Sequence, residues 1–234
     1  MRKILIGFIT ITLLSLFSCD KEGNDTNITF KIQYGEGVTD IDGNIYGSVR
    51  IGEQEWMSEN LRTSKFADGI SIINVVENSS WGNLTTEAWC YYDNDSQYNS
   101  LYGKLYNWHA LETEKLCPTG WHVPNDAEWT LLLDYLASYG FRGTEEQVLK
   151  STSGWDDYNG QSGNGNDALG WNGLPASLRG DSGGFGVGNS GQWWSSSEYN
   201  TDRAWNLSFT NANESVFMGH TYKEVGNSVR CIKD

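Results

Sequence analysis

The stretch CPTGWHVPNDAEWTLLLDYL, residues Cys117 to Leu136, carries the strongest structural signal in the chain. Asn125 with Glu128 three positions later is a variant of the capping box, in which two side chains satisfy free amides at the start of a helix. Apolar residues then recur at the spacing of one helix face: Trp129, Leu132, Leu133 and Leu136. The pattern predicts a helix from about Asp126 to about Ser138, with Gly140 as its stop.

The segments on both sides of this helix predict an α+β fold. Leu101–Leu111 (LYGKLYNWHAL) predicts a first, shorter helix despite Gly103. On the N-terminal side, TFKIQYGEG reads as a strand, and IYGSVRI and EQEWM form a hairpin around Gly52 that leads to Trp56. The C-terminal third predicts short antiparallel strands: GQWWSSS, RAWNLSF, SVFMGH and NSVRCI.

Residues 151–170 (STSGWDDYNGQSGNGNDALG) predict a long loop, because Gly, Asn, Asp and Ser leave no periodic pattern. Loops of this length are uncommon unless they are functional or disordered. Trp155, Tyr158 and Trp171 lie in or beside the loop. Two interpretations of these rings have equal weight: they form a ligand-binding surface, or they anchor the loop to the core.

The length and charge of the chain restrict the possible functions. The 234 residues suit one folded unit with a leader and a tether. The formal net charge is −14, and no basic stripe offers contacts to a phosphate backbone, so nucleic acid is excluded as an expected partner. The acidity favours solubility and is expected to repel anionic lipid or polysaccharide.

The N-terminus predicts a lipoprotein signal peptide over residues 1–18. Arg2 and Lys3 precede an apolar run of 14 residues from Ile4 to Phe17, which is short for a membrane span of about 20. The sequence LFSC that ends at Cys19 resembles a bacterial lipobox, and predicts a lipid anchor on Cys19. A polar segment follows, and we assign residues 19–37 to a lipidated tether and first strand and residues 38–234 to the folded domain. Because CDKE resembles a Bacteroidetes export signal, we expect an outer-membrane lipoprotein that is exposed at the cell surface.

The remaining three cysteines allow at most one disulfide within the chain. We favour a bridge between Cys117 and Cys231, which would stabilise the fold by roughly 3–5 kcal/mol. Cys90 would then be a buried thiol. Its neighbours are acidic, which disfavours a reactive cysteine.

Seven motifs in order resemble the Fibrobacter succinogenes major paralogous domain (FISUMP) family, which is common in lipoproteins of Bacteroidetes and Fibrobacteres. The resemblance covers about Val38 to Lys233, and the motifs that carry it are DIDGNIYGSVRIGEQEWMSENL, YGKLYNW, CPTGWHVPNDAEW, LKSTSGWDDYNGQSGNGND, GLPASLRG, WWSSSEY and NSVRCIKD. The resemblance implies a C-type-lectin-like or formylglycine-generating-enzyme-like fold, with two helices packed beside a curved antiparallel sheet and long loops. It also implies the Cys117–Cys231 pair.

The resemblance implies no catalytic site. Formylglycine-generating oxidases use a cysteine pair late in the chain, whereas Cys231 is the only cysteine here after Cys117. C-type lectins bind sugar through a calcium site built from EPN or QPD and WND tripeptides, and the chain contains none of these. Neither chemistry is expected by these routes.

The other chemical candidates are weak. His109, His122 and His220 lack the spacing of metal ligands. We expect no cofactor except a possible calcium ion, for which the loop offers four oxygen ligands: Asp156, Asp157, Asn164 and Asp167. A glycoside hydrolase could draw its carboxylates from Asp156, Asp157 or Glu198.

Three functions remain open. The favoured one is a surface-tethered, non-catalytic recognition module that binds a glycan or a cell-envelope protein. The alternatives are a structural or adhesin-type envelope subunit and a carbohydrate-active hydrolase.

Overall fold

The computed structural model of the chain describes residues 30–186, 189–212 and 215–234. The predicted signal peptide, the lipid site at Cys19 and most of the tether lie outside the described residues. In the part that is described, no helix has the length and apolar character needed to span a membrane.

Short helices and strands alternate along the described chain. The helices are α1 (Asn78–Trp81), α2 (Asn99–Tyr102), α3 (His109–Glu112), α4 (Asp126–Ser138) and α5 (Glu145–Leu149). The strands are β1 (Gln33–Tyr34), β2 (Val38–Thr39), β3 (Ile45–Tyr46), β4 (Ser48–Ile51), β5 (Gln54–Met57), β6 (Ile73–Asn74), β7 (Ala88–Tyr91), β8 (Lys104–Tyr106), β9 (Trp121–His122), β10 (Ser190–Asn200), β11 (Arg203–Thr210), β12 (Phe217–Tyr222) and β13 (Ile232–Lys233).

An antiparallel five-stranded sheet joins the two ends of the domain, in the order β1-β4-β5-β13-β9. The predicted hairpin is confirmed as β4 and β5, and Gly52 in its turn has a φ of 62°. Ile232 on β13 pairs with Trp56 on one side and with His122 on the other. The last strand therefore lies between the N-terminal hairpin and the segment that precedes α4.

A second antiparallel sheet, in the order β10-β11-β12, confirms the predicted C-terminal strands. Neighbouring residues on a strand point to opposite faces. Trp193 accordingly packs in one buried cluster with Trp171, and Trp194 packs in another with Tyr106. The β10–β11 hairpin thus connects the two main cores.

Helix α4 has the predicted bounds and the predicted cap. Asn125 Oδ1 accepts from Glu128 N at 3.1 Å, and Glu128 Oε2 accepts from Asn125 N at 2.8 Å. Gly140 ends the helix with a φ of 85°, and the Phe141 amide returns to the carbonyl of Leu136, which is a Schellman motif.

The predicted helix over Leu101–Leu111 is wrong. Helix α2 stops at Gly103, whose φ of 73° and ψ of −151° are accessible mainly to glycine. A Cβ at this position would lie 2.7 Å from the carbonyl oxygen of Leu61. The chain continues as β8, which pairs with β7, before the single turn of α3. The coarse α+β class is therefore confirmed, but one long helix rather than two lies beside the sheets in the described chain.

The Cys117–Cys231 bridge is present, with 6.1 Å between the Cα atoms and a sequence separation of 114. It ties the segment before α4 to the segment that enters β13. Cys90 is a free and buried cysteine, as predicted. Burial raises the pKa of the Cys90 thiol to about 12, although Arg179 acts in the opposite direction.

Candidate functional site

The predicted loop has no helix or strand between residues 151 and 170, but two of its three aromatic rings are buried. Trp155 is 4% exposed, and its Nε1 donates to the Ser151 hydroxyl and the Gly173 carbonyl. Trp171 is fully buried, with its ring centroid 5.0 Å from that of Trp193. Of the two interpretations that the sequence left open, burial of both indoles favours the anchoring of the loop for Trp155 and Trp171. Tyr158, at 46% exposed, does face solvent.

The loop oxygens proposed for calcium serve the loop itself. Asn164 Oδ1 accepts from the Trp155 amide at 2.9 Å, and Asp167 Oδ1 accepts from the Asn172 amide at 2.7 Å. Asp156 and Asp157 are exposed. Among the described residues, no three His, Cys, Asp or Glu side chains are grouped so that they could hold a metal ion.

Two half-exposed tyrosines lie beside partly buried Trp, His and Arg side chains at one end of the β10-β11-β12 sheet. We call this surface the aromatic strip, and it comprises Tyr199 on β10, Arg203 and Trp205 on β11, and His220 and Tyr222 on β12. Arg203 lies opposite Tyr222 in the strand register, and Trp205 lies opposite His220. Alternation along the strands places these side chains on the same face of the sheet.

Direct ring contacts hold the aromatic strip in one arrangement. The rings of Tyr199 and His220 stack at 3.7 Å with 10° between their planes, and Trp205 packs edge-on against both. The Arg203 guanidinium lies 4.3 Å above the Tyr222 ring and 3.5 Å from His220 Nδ1. The contacts are therefore continuous from Tyr222 to Trp205. Tyr199 is 46% exposed and Tyr222 is 42% exposed.

Local backbone features bring Tyr199 into the strip. The register of β10 against β11 shifts on both sides of Glu198, which is the mark of β-bulges. In the following turn, the Asn200 side chain accepts from the amides of Asp202 and Arg203. The sequence interpretation missed this site, although the alternating spacing R-x-W in the predicted strand RAWNLSF and H-x-Y at the end of SVFMGH is a signal that could have found it.

A cleft with a volume of about 640 Å³ lies beside the disulfide and is a different feature. Its indole walls, Trp108 and Trp121, are only 6% and 8% exposed. Its other lining residues include Leu111, Leu116, Val123, Glu112 and His122.

Two charged side chains of the cleft are already bound within the protein. Glu112 contacts His109 at 2.9 Å and Lys223 at 3.2 Å. Burial raises the pKa of Glu112, but these two partners outweigh it, and the net pKa is lowered. His122 lies between Glu128 and Asp234. The cleft therefore exposes less aromatic surface than the strip does, and its charges are largely satisfied.

The three histidines occupy separate places. His109 pairs with Glu112, and His122 pairs with Glu128, whereas His220 lies in the aromatic strip. The structure brings none of them together as metal ligands in the described chain.

Comparison with known proteins gives one family. The model described as Fibrobacter succinogenes major domain matches residues 49–233, a segment that contains the disulfide, the cleft and the whole aromatic strip. No curated protein and no solved structure gives a significant match.

Proposed function

Because this chain belongs to the Fibrobacter succinogenes major domain family, and its family segment presents a preorganised aromatic surface, we propose that it is a non-catalytic recognition module that binds a glycan on the aromatic strip. The observation that carries the proposal is the exposure of nearly half of Tyr199 and of Tyr222 on one rigid sheet face.

The physical argument rests on preorganisation. Aromatic rings offer flat apolar surfaces with a polar tip, which suits contact with a sugar ring and its hydroxyls. The stacked pair Tyr199–His220 and the Arg203–Tyr222 contact fix the rings before a ligand arrives. The side chains then lose little conformational entropy when a ligand binds. A small contact area can therefore give a higher affinity than it would with mobile side chains.

Binding is better supported than hydrolysis. A glycosidase needs a protonated carboxyl group as its general acid. Glu198 is the carboxylate next to Tyr199 along β10, and its Oε1 is bound by Lys223 Nζ at 2.5 Å. Glu112 contacts the same lysine, and its pKa is lowered rather than raised. These carboxylates stabilise Lys223 instead of standing free beside the strip.

We further propose the predicted cellular setting. A lipid on Cys19 would anchor the domain to the outer membrane, with the aromatic strip facing the cell exterior. Labelling cells with an alkyne fatty acid should mark the native protein and not a Cys19→Ala variant, and the native protein should be accessible to protease on whole cells. Equal labelling of both proteins would contradict the anchor.

The finer fold assignment is likewise a proposal, a C-type-lectin-like fold. It is supported by the five-stranded sheet, which contains both the first and the last strand of the described chain, and by the disulfide from the segment before α4 to the segment that enters the last strand. An experimental structure whose topology aligned better with another α+β fold would overturn it.

The binding proposal is tested with the purified full chain on a panel of immobilised polysaccharides. We expect retention on at least one polysaccharide, weakened about tenfold by Tyr222→Ala, which corresponds to about 1.4 kcal/mol for one stacked ring. Two exposed tyrosines elsewhere serve as matched controls: Tyr158→Ala in the loop and Tyr34→Ala on β1, which are 46% and 76% exposed.

The outcomes separate the proposed function from its alternatives. If Tyr222→Ala leaves the retention unchanged, the aromatic strip is not the binding site. No retention, together with a co-purifying envelope protein or self-assembly, would favour the protein-binding or structural alternative. Turnover of a glycoside would revive the hydrolase.

A further inference from the structure

The aromatic strip contains a cation that lacks a carboxylate partner. Acidic residues outnumber basic ones 30 to 16 in this chain, and the solvent-accessible arginines Arg50, Arg62 and Arg142 each form an ion pair with a carboxylate. Arg203 forms none with any carboxylate of the described residues. In a surface with an excess of carboxylates, this unpaired guanidinium is an exception that needs a reason.

The contacts of Arg203 orient its guanidinium without neutralising it. The group lies flat over Tyr222 at 4.3 Å, and its Nη1 is 3.5 Å from His220 Nδ1. A guanidinium carries five N–H donors. Within the described chain, the His220 contact is the one side-chain hydrogen bond that Arg203 makes, so most of these donors are left for another acceptor.

The chemistry of these donors selects a carboxylate. A guanidinium presents parallel N–H groups that match the two oxygens of a carboxylate, and the resulting bidentate pair is stronger than a neutral hydrogen bond. Arg203 covers one face of the Tyr222 ring and contacts His220, which in turn stacks on Tyr199, so its remaining donors lie within the surface on which the sugar is proposed to bind. We infer that the aromatic strip selects acidic saccharides, with Arg203 pairing to the carboxylate of a uronic-acid residue; this inference rests on the proposed glycan-binding function.

The overall charge of the chain opposes this ligand only at long range. The net charge of −14 slows the approach of an acidic polymer, as the composition predicts. At physiological salt, however, surface charges are screened beyond about 8 Å. Contact with Arg203 acts within about 3 Å. Selectivity for the carboxylate therefore arises at the strip, and short acidic oligomers are better probes than long polymers.

The test compares each acidic oligosaccharide with its neutral methyl ester. Calorimetry measures the binding of oligogalacturonate and oligoglucuronate to the full chain. The fully methyl-esterified form of each oligomer is titrated in the same way for comparison. We expect the acid form of at least one oligomer to bind at least tenfold more tightly than its ester. Arg203→Gln should reduce that preference to less than threefold, and Arg203→Lys should leave it intermediate, because lysine keeps the charge but not the paired donors. Arg142→Gln, which changes an exposed arginine on another surface, should preserve the native preference.

Every result bears on the inference. Equal affinity for acid and ester, an acid preference that survives Arg203→Gln, or retention on neutral polysaccharides without binding of either acid oligomer would overturn it and leave the proposed function standing. No binding to any oligomer or polysaccharide would overturn the proposed function itself. Thermal unfolding of each variant separates a binding defect from a folding defect.

Discussion

Trp155 and Trp171 are buried in the core, whereas Tyr199 and Tyr222 present nearly half of their surface to solvent. The same class of side chain therefore stabilises the loop in one place and forms the aromatic strip in another. The residue type alone does not decide which role a ring has. Its contacts decide it, and they make separate predictions for the two groups.

Replacing the buried loop indoles should damage stability. Trp155→Ala and Trp171→Ala each should lower the free energy of unfolding by about 3–5 kcal/mol, because a large cavity is created in the core. Tyr158→Ala, at an exposed ring of the same loop, should change it by less than about 0.5 kcal/mol. Urea unfolding measures all three variants. A loss for Tyr158→Ala as large as for the indoles would show that the loop is anchored differently.

His122 makes a pH-dependent contribution to stability. Its Nε2 is 2.8 Å from Glu128 Oε1, and its Nδ1 is 2.7 Å from Asp234 Oδ1. Burial alone lowers the pKa of His122, but these two hydrogen bonds outweigh it, and the net pKa is raised. A raised pKa in the folded state means that the stabilisation is complete below the unfolded pKa of about 6.5 and is lost as pH rises through the folded pKa.

The stability difference between the native protein and His122→Gln should therefore be larger at pH 5 than at pH 9. At pH 5 we expect the difference in the free energy of unfolding to be about 1 kcal/mol or less, because the His122 side chain is 39% exposed and solvent screens its ion pairs. Urea unfolding at both values measures it. A difference that does not change with pH would contradict a charged His122 in the folded state.

At the scale of elements, α4 depends on its capping box. Asn125→Ala should lower the free energy of unfolding by about 1 kcal/mol, because the Glu128 amide loses its acceptor. Asn125→Asp keeps an acceptor at the same place and should preserve stability. Thermal unfolding compares the two, and equal losses in both variants would contradict the cap as the cause.

Elements with local signals could be predicted from the sequence, and elements fixed by distant contacts could not. Helix α4 and the β4–β5 hairpin carry their own cap and turn residues. The predicted first helix failed because Tyr106 exchanges two backbone hydrogen bonds with Asn227, which is remote in sequence. The aromatic strip likewise depends on the register of three strands and on the bulges around Glu198. The cysteine count limited the chain to one bridge, and the resemblance to C-type-lectin-like domains indicated Cys117 and Cys231 as its partners.

At the scale of the whole molecule, the disulfide closes a long loop, because its partners are separated by 114 positions in the sequence. In the chain-entropy model a bridge of this span contributes about 4–5 kcal/mol. Replacing Cys117 and Cys231 together with serine should therefore lower the melting temperature by about 10 °C or more. Dithiothreitol should lower the melting temperature of the native protein and leave that of the double variant unchanged. A native melting temperature that is insensitive to reduction would contradict a stabilising bridge.

The strip also has a position in the whole molecule that suits recognition. It lies on a sheet whose other end is embedded in the two main cores through Trp193 and Trp194. A ligand on the strip therefore meets a surface that the rest of the domain holds in place.

The most direct test of the central claim is a crystal structure of the full chain in complex with a saccharide that it retains. We predict that the sugar stacks on Tyr199 or Tyr222, with a carboxylate of the saccharide paired to Arg203. A saccharide bound in the cleft beside the disulfide, or on the loop around Tyr158, with the aromatic strip empty, would contradict the account.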